Sequence, residues 1–165
     1  MISIDTSILI WGIREHVQTG REDMIDRAKW LIRDHKDRGI PIMVPSVVLA
    51  EYLATFDNQS QVEQREIIGR NFFVAPFDNK AAWLTGELYD KARIKSIQQG
   101  GTPKQCIHAD LKILATAIAH SATTLYTDNL QDFLTLAASD GRIIVKGVPA
   151  LPPPPPPTET QATFA

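Results

Sequence analysis

MISIDTSILIWG, residues 1–12, decides the fold. Met1 to Ile4 is a short, largely apolar run that stops at Asp5, and Thr6 to Glu15 then reads as a helix. A buried strand that ends on an acid and turns directly into a helix is the opening of a parallel α/β sheet. In such sheets ligands bind beyond the carboxyl ends of the strands, which is where Asp5 lies. The same arrangement returns near the other end of the chain. Thr123 to Thr127 reads as a strand, Asp128 follows it, and a helix runs from Leu130 to Ala138.

Between these two segments the pattern alternates. Glu22 to Lys36 places Met24, Ile25, Ala28, Leu31, Ile32 and His35 on one helical face. Ile40 to Val44 is a second strand, and Pro45-Ser46 starts a helix through Val47 to about Ala54. A polar helix is expected over Gln59 to Arg70 and a strand over Phe72 to Val74. One long helix is expected from Asn79 to about Gln98, with a stripe of Ala81, Leu84, Leu88 and Ala92, broken at Gly100-Gly101-Thr102-Pro103. Gln105 to His120 is a further helix, with Ile107, Leu111, Leu114, Ala115 and Ile118 inward, and Arg142 to Val145 is the last strand. The order predicts a parallel sheet covered on both faces.

Composition narrows the function. At 165 residues the chain suits one domain with a sizeable core. A hydrophobic fraction of 44% with 22% charged residues is that of an ordinary globular protein. The net charge of −2 excludes a global basic field, so any nucleic-acid contact must be local. Cys106 is the single cysteine, which rules out an intrachain disulfide and a Cys-rich zinc site. With no membrane span and no secretory pattern at the start, a cytoplasmic location is expected. After Pro149 six consecutive prolines, 152–157, and TETQATFA cannot join a sheet, so a domain is drawn over 1–148 and a proline-rich tail over 149–165. The tail reads as a solvated extension or as a docking peptide.

Four acids sit where the apolar pattern predicts core: Asp5, Glu51 in VPSVVLAEYLA, Asp110 in CIHADLKILATAIAH, and Asp128 in TLYTDNLQDF. Each also has a structural reading. Asp5 and Asp128 are placed as helix N-caps, Glu51 can lie on the one solvated edge of its helix, and Asp110 in a first turn is favoured by the helix dipole. Burying carboxylates is expensive unless a cation or hydrogen bonds compensate them. Four of them converging implies a metal-dependent phosphodiesterase. Oxygen ligands without thiolates or paired imidazoles select Mg²⁺ or Mn²⁺. His16, His35, His108 and His120 make no zinc spacing. Asp132 lies one helical turn after Asp128 and is a fifth candidate, with Thr127 and Asn129 able to hydrogen-bond a carboxylate or phosphate. Lys91, Arg93, Lys95 and Lys104 occur in a stretch free of acids and are candidate phosphate contacts, or else a solvated face.

IDTSILI, PSVVLAEYL, HADLKILATAIAH and LYTDNLQDF, in this order, resemble the PIN-domain family, and within it the VapC-type toxins of bacterial toxin–antitoxin pairs. The resemblance covers about residues 1–148. It implies a PIN-like three-layer α/β/α fold with a central parallel sheet, and an Mg²⁺- or Mn²⁺-dependent endoribonuclease leaving 5′-phosphate and 3′-hydroxyl ends. It carries the family's acids onto Asp5, Glu51 and Asp110, with Asp5 and Asp110 as the principal metal ligands. For the fourth acid Asp128 is preferred, with Asp132 as the alternative. A homodimer and a cognate antitoxin are implied partners beside the RNA substrate. The antitoxin is expected in an apolar groove around Ile10, Trp11 and Ile13, with Leu49 and Leu53 contributing. The competing readings are a non-catalytic PIN-like binding module and an RNA-processing nuclease without antitoxin. A dehalogenase-like phosphatase is disfavoured, because Ser7 stands where its second Asp belongs.

Overall fold

The computed structural model describes residues 1–138 and 140–152. Five parallel strands form one sheet in the order β3-β2-β1-β4-β5. They are β1 (Ile2–Ile4), β2 (Ile42–Pro45), β3 (Phe73–Ala75), β4 (Thr124–Tyr126) and β5 (Ile144–Lys146). β1 is central, in register with Ile42 on one side and with Thr124 to Tyr126 on the other. Its three residues are all buried, which explains an apolar run with no polar alternation. The chain moves outward from β1 to β3 on one side and then from β4 to β5 on the other. The order therefore reverses between β1 and β4, and a crevice opens at their carboxyl ends.

Helices cover the sheet as a three-layer α/β/α domain. α1 (Thr6–Leu9) continues as a wider π-type turn over Ile10–Arg14, and Glu15 ends it with φ of 55°. The turn lies tight on α2 (Asp23–Asp37), because Gly12 lacks a Cβ: one built there would stand 2.6 Å from Ile32 Cδ1. α2 buries Met24, Ala28, Leu31, Ile32 and His35 as the spacing predicts, while Ile25 is half-buried. α3 (Ser46–Leu53) and α4 (Asn58–Asn71) follow β2, joined by the buried Tyr52, whose hydroxyl donates to Gln64 Oε1 at 2.6 Å.

The expected single helix from Asn79 to Gln98 is two helices, α5 (Asn79–Leu88) and α6 (Lys91–Gln99). Tyr89 is extended, with ψ of 106°, and the Asp90 carboxylate accepts from the amides of Ala92 and Arg93 at 2.8 and 3.0 Å. Capping satisfies amides that a continuous helix would have bonded internally, so Asp90 restarts the helix. The inward residues change accordingly: Ala92 is exposed, and Ile94 and Ile97 are buried instead. α7 (Lys104–Ala119) buries all five residues of its predicted stripe, and α8 (Leu130–Ala137) leads to β5. The last strand is Ile144–Lys146 rather than 142–145, because Arg142 turns outward to pair with Asp140 and Glu87. No helix among the described residues is long and apolar enough to cross a membrane.

The chain after β5 is tied down: Arg27 donates to the carbonyls of Val148 and Pro149, the latter at 2.9 Å. Most of the proline-rich segment, 153–165, lies outside the described residues.

Candidate functional site

Asp5 leaves the carboxyl end of β1 with its amide bonded to the Tyr126 carbonyl of β4 at 3.0 Å, so the crevice between these strands fixes its position. Its side chain is 8% exposed. One carboxylate oxygen caps α1 by accepting from the Thr6 amide at 2.7 Å, and the other accepts from the Thr127 hydroxyl at 2.8 Å. The capping reading of Asp5 therefore holds, but it occupies only one oxygen. Burial is the largest influence on this acid and raises it; the Thr127 and Thr6 hydrogen bonds pull back, Glu51 and Asp128 push upward, and the outcome is a pKa of about 6 against an ordinary 3.8.

Glu51 reaches the same place from α3. It is half-buried and accepts a short hydrogen bond from the Thr6 hydroxyl, the residue next to Asp5. Asp110 comes from α7. It lies past the first turn, which holds no acid, so the helix dipole does not explain its charge as the sequence suggested. Its carboxyl is pushed up to about 7, by burial first and then by the charges of Asp5, Asp132 and Glu51, with a hydrogen bond from Asn129 opposing. These are the signs of several acids sharing one crevice.

After β4, Thr127 to Asp132 divides its acids. Asn129 donates its amide to Asp110 Oδ2 and to Asp132 Oδ2, both at 3.1 Å, and Asp132 also accepts from the Thr102 hydroxyl at 2.8 Å. Asp128 instead takes both terminal nitrogens of Arg21, at 2.8 and 2.6 Å. It does not cap α8, whose cap position is Asn129. Thus Asp5, Glu51, Asp110 and Asp132 are linked electrostatically or through Thr6, Thr102, Thr127 and Asn129, whereas Asp128 sits at the rim, still close enough to raise Asp5. Among the described residues no three His, Cys, Asp or Glu side chains are arranged to hold an ion as they stand. Their donor atoms are hard oxygens, the kind that hard divalent cations take.

The basic stretch lies on α6 and at the start of α7. Lys91 and Lys95 are exposed on α6, Arg93 is half-buried there, and Lys104 is exposed at the start of α7. Thr102, in the loop between the two helices, donates to Asp132 and so places that loop beside the acids. On the opposite rim a cleft of about 290 Å³ is lined by Trp11, Arg21 and Asp128 among others. Trp11 is 6% exposed, and Ile10, Ile13, Leu49 and Leu53 are half-buried, so the expected apolar groove offers less apolar surface than its sequence suggests. His108 packs edge-on against Tyr89, ring centroids 5.8 Å apart. Thr6, Thr102 and Arg21 escaped the sequence reading. Of these only Thr6 carried a signal, as the first helical residue after the buried Asp.

A five-stranded parallel α/β domain with acids at its switch point defines the class of protein. The PIN domain family model matches residues 2–137, and the chain belongs to this family. Solved structures share the fold at low identity. A chain of VapBC2 from Rickettsia felis, bound to a promoter DNA fragment, is 22% identical with a TM-score of 0.56, the match covering 89% of this chain and 98% of that one. A chain of VapBC-1 from nontypeable Haemophilus influenzae is 15% identical with a TM-score of 0.59 over the same shares. A toxin–antitoxin complex from Klebsiella pneumoniae contains a chain 18% identical with a TM-score of 0.56, over 92% of this chain and all (100%) of that one. No curated protein is significantly similar in sequence.

Proposed function

We propose that this protein is a divalent-metal-dependent endoribonuclease and the toxin of a VapBC-like pair. The observation that carries the reading is the convergence of Asp5, Glu51, Asp110 and Asp132 on one crevice where the charge of Asp110 is left so uncompensated that its pKa lies near 7. A fold gains nothing in stability from such a cluster, whereas a cation-binding site requires it. Asp5 and Asp110 are the first ligands, Glu51 completes the cage from α3, and Asp132 is the fourth acid in preference to Asp128, whose oxygens Arg21 occupies. A bound Mg²⁺ or Mn²⁺ lowers the pKa of water and neutralises phosphate charge. The chain's own part is to fix the donors. Thr127 and the Thr6 amide hold Asp5, the Thr6 hydroxyl orients Glu51, and Asn129 spaces Asp110 from Asp132. Lys91, Arg93, Lys95 and Lys104 hold the RNA backbone alongside.

The toxin assignment draws on the motifs and on the toxin–antitoxin complexes that share the fold. An antitoxin segment crossing the crevice with an Arg or Lys would meet the acids directly, and the chain pairs with a second copy of itself. The test is cleavage of a single-stranded RNA in Mn²⁺ or Mg²⁺, with chelator as control. The wild type yields 5′-phosphate products, and Asp5→Asn and Asp110→Asn abolish them while remaining folded. Undiminished cleavage by both variants removes these acids from the catalytic set. Stable binding of the protein encoded beside this gene, seen as one peak in gel filtration, tests the toxin part separately.

A further inference from the structure

The cleft on the Arg21 side of the acids is not needed to hold a metal, yet it is built with care. The Arg21 guanidinium is fixed twice. Its edge is bidentate on Asp128 at 2.8 and 2.6 Å, and its face lies over the Trp11 ring at 5.0 Å from the centroid. The side chain is nonetheless 42% exposed and lines the cleft. A guanidinium already neutralised by a carboxylate is a poor grip for phosphate. A planar group locked in orientation is a good platform for a nucleobase, because stacking on guanidinium planes and aromatic rings is how unpaired RNA bases are held. Little ordering entropy is left to lose when a base arrives, since the side chain is already immobilised. His16 and Gln18 line the same cleft, both exposed, and offer donors and acceptors suited to a base edge.

We infer that this cleft is a nucleobase subsite: one unpaired base of a single-stranded RNA, flanking the phosphate at the acids, lies against the Arg21 plane with Gln18 and His16 at its edge. The inference rests on the ribonuclease reading and adds to it a substrate contact that reads bases. Ile10 and Val17, half-buried, also line the cleft and offer apolar surface that the face of a base can cover.

The test is a set of single-stranded RNA oligonucleotides, each with one abasic position, bound to the protein in Ca²⁺ and followed by fluorescence anisotropy. In the wild type one position weakens binding roughly tenfold when its base is missing, the size expected for one stacked base. Arg21→Ala removes the penalty at that position alone, and Arg21→Lys does the same because it keeps the charge without the plane. A uniform loss at every position in Arg21→Ala, or a positional penalty that survives both variants, overturns the subsite. So does a wild type that binds and cleaves RNA with no sensitive position. If Arg21→Ala instead blocks assembly with the antitoxin while the abasic profile stays unchanged, the cleft serves protein and not RNA. A wild type that neither binds nor cleaves any of the oligonucleotides fails at the earlier step and overturns the ribonuclease reading, and the subsite with it.

Discussion

Replacing Asp110 by Asn should stabilise the metal-free protein, and by more at pH 8 than at pH 5. The side chains are isosteric, and the carbonyl oxygen of an Asn can still accept from Asn129, so the main change is the loss of a titrating charge. The folded Asp110 keeps its proton up to about pH 7, whereas the unfolded one releases it near the ordinary 3.8. Between those values the native state binds more protons than the unfolded state, so stability falls as pH rises and is lowest above pH 7. At ~1.4 kcal/mol per pH unit the full separation is on the order of 4 kcal/mol, about three-fifths of which is still absent at pH 5. A chain of this size shifts by roughly 2–4 °C per kcal/mol, so the variant's lead in melting temperature should widen by about 5–10 °C between pH 5 and pH 8. The assay is thermal unfolding in chelator at both values. Adding Mn²⁺ at a hundred times its Kd should raise the wild type by ~2.7 kcal/mol and leave the variant nearly unmoved. An equal gap at the two pH values, or a variant less stable than the wild type at pH 8, would refute the crowded-acid account of this crevice.

Other substitutions separate the remaining parts. Asp132→Asn should reduce Mn²⁺-dependent cleavage by two orders of magnitude or more, and Asp128→Asn by much less. Parallel kcat measurements decide, and the reverse ranking would restore Asp128 as the fourth acid. Thr127→Val removes the hydrogen bond that most lowers the Asp5 carboxyl, so its pKa should climb further above about 6 and the acidic limb of the pH–rate profile should move upward. Losing that bond to a buried carboxylate should also destabilise the fold by ~1–3 kcal/mol in denaturant unfolding. Asp90→Ala strips the cap of α6 and should lower stability by ~1 kcal/mol with the metal site intact. Ending the chain after Ala150 keeps both carbonyls that Arg27 grips, so melting temperature and cleavage should match those of the full-length protein.

Most of the sheet could be read directly because its strands are short, apolar and end on acids or prolines; Ile2–Ile4 and Ile42–Pro45 are almost their predicted spans. The failure at Tyr89-Asp90 has a local cause. Across Asn79 to Gln98 the apolar residues keep a helical spacing, and periodicity alone cannot show that an Asp side chain has taken over two backbone amides. Asp is a preferred N-cap residue type, and at Asp90 the cap outweighs the continuity of the stripe. Asp110 lies past the first turn whether α7 starts at the expected Gln105 or at Lys104, so its dipole reading fails on spacing alone.

The fourth acid shows where sequence reasoning ends and why. Asp128 and Asp132 are the same residue type, one turn apart, beside the same Thr and Asn. Nothing local separates them. What separates them comes from elsewhere in the chain: Arg21, from the loop before α2, takes both oxygens of Asp128, while Thr102, from the loop before α7, turns Asp132 toward Asn129 and Asp110. The Arg21–Asp128 pair spans 107 residues and depends on strand order, because the pairing of β1 with β4 brings the segment after Asp5 against the segment at Asp128, while Thr102 reaches Asp132 across 30 residues. The two acids thereby gain different chemistry from one motif. Asp132 is drawn in beside Asn129 and Asp110, among the acids proposed to hold the cation. Asp128 is paired with Arg21 through both oxygens and so holds a flat guanidinium at the lip of the crevice, where a substrate base would pass.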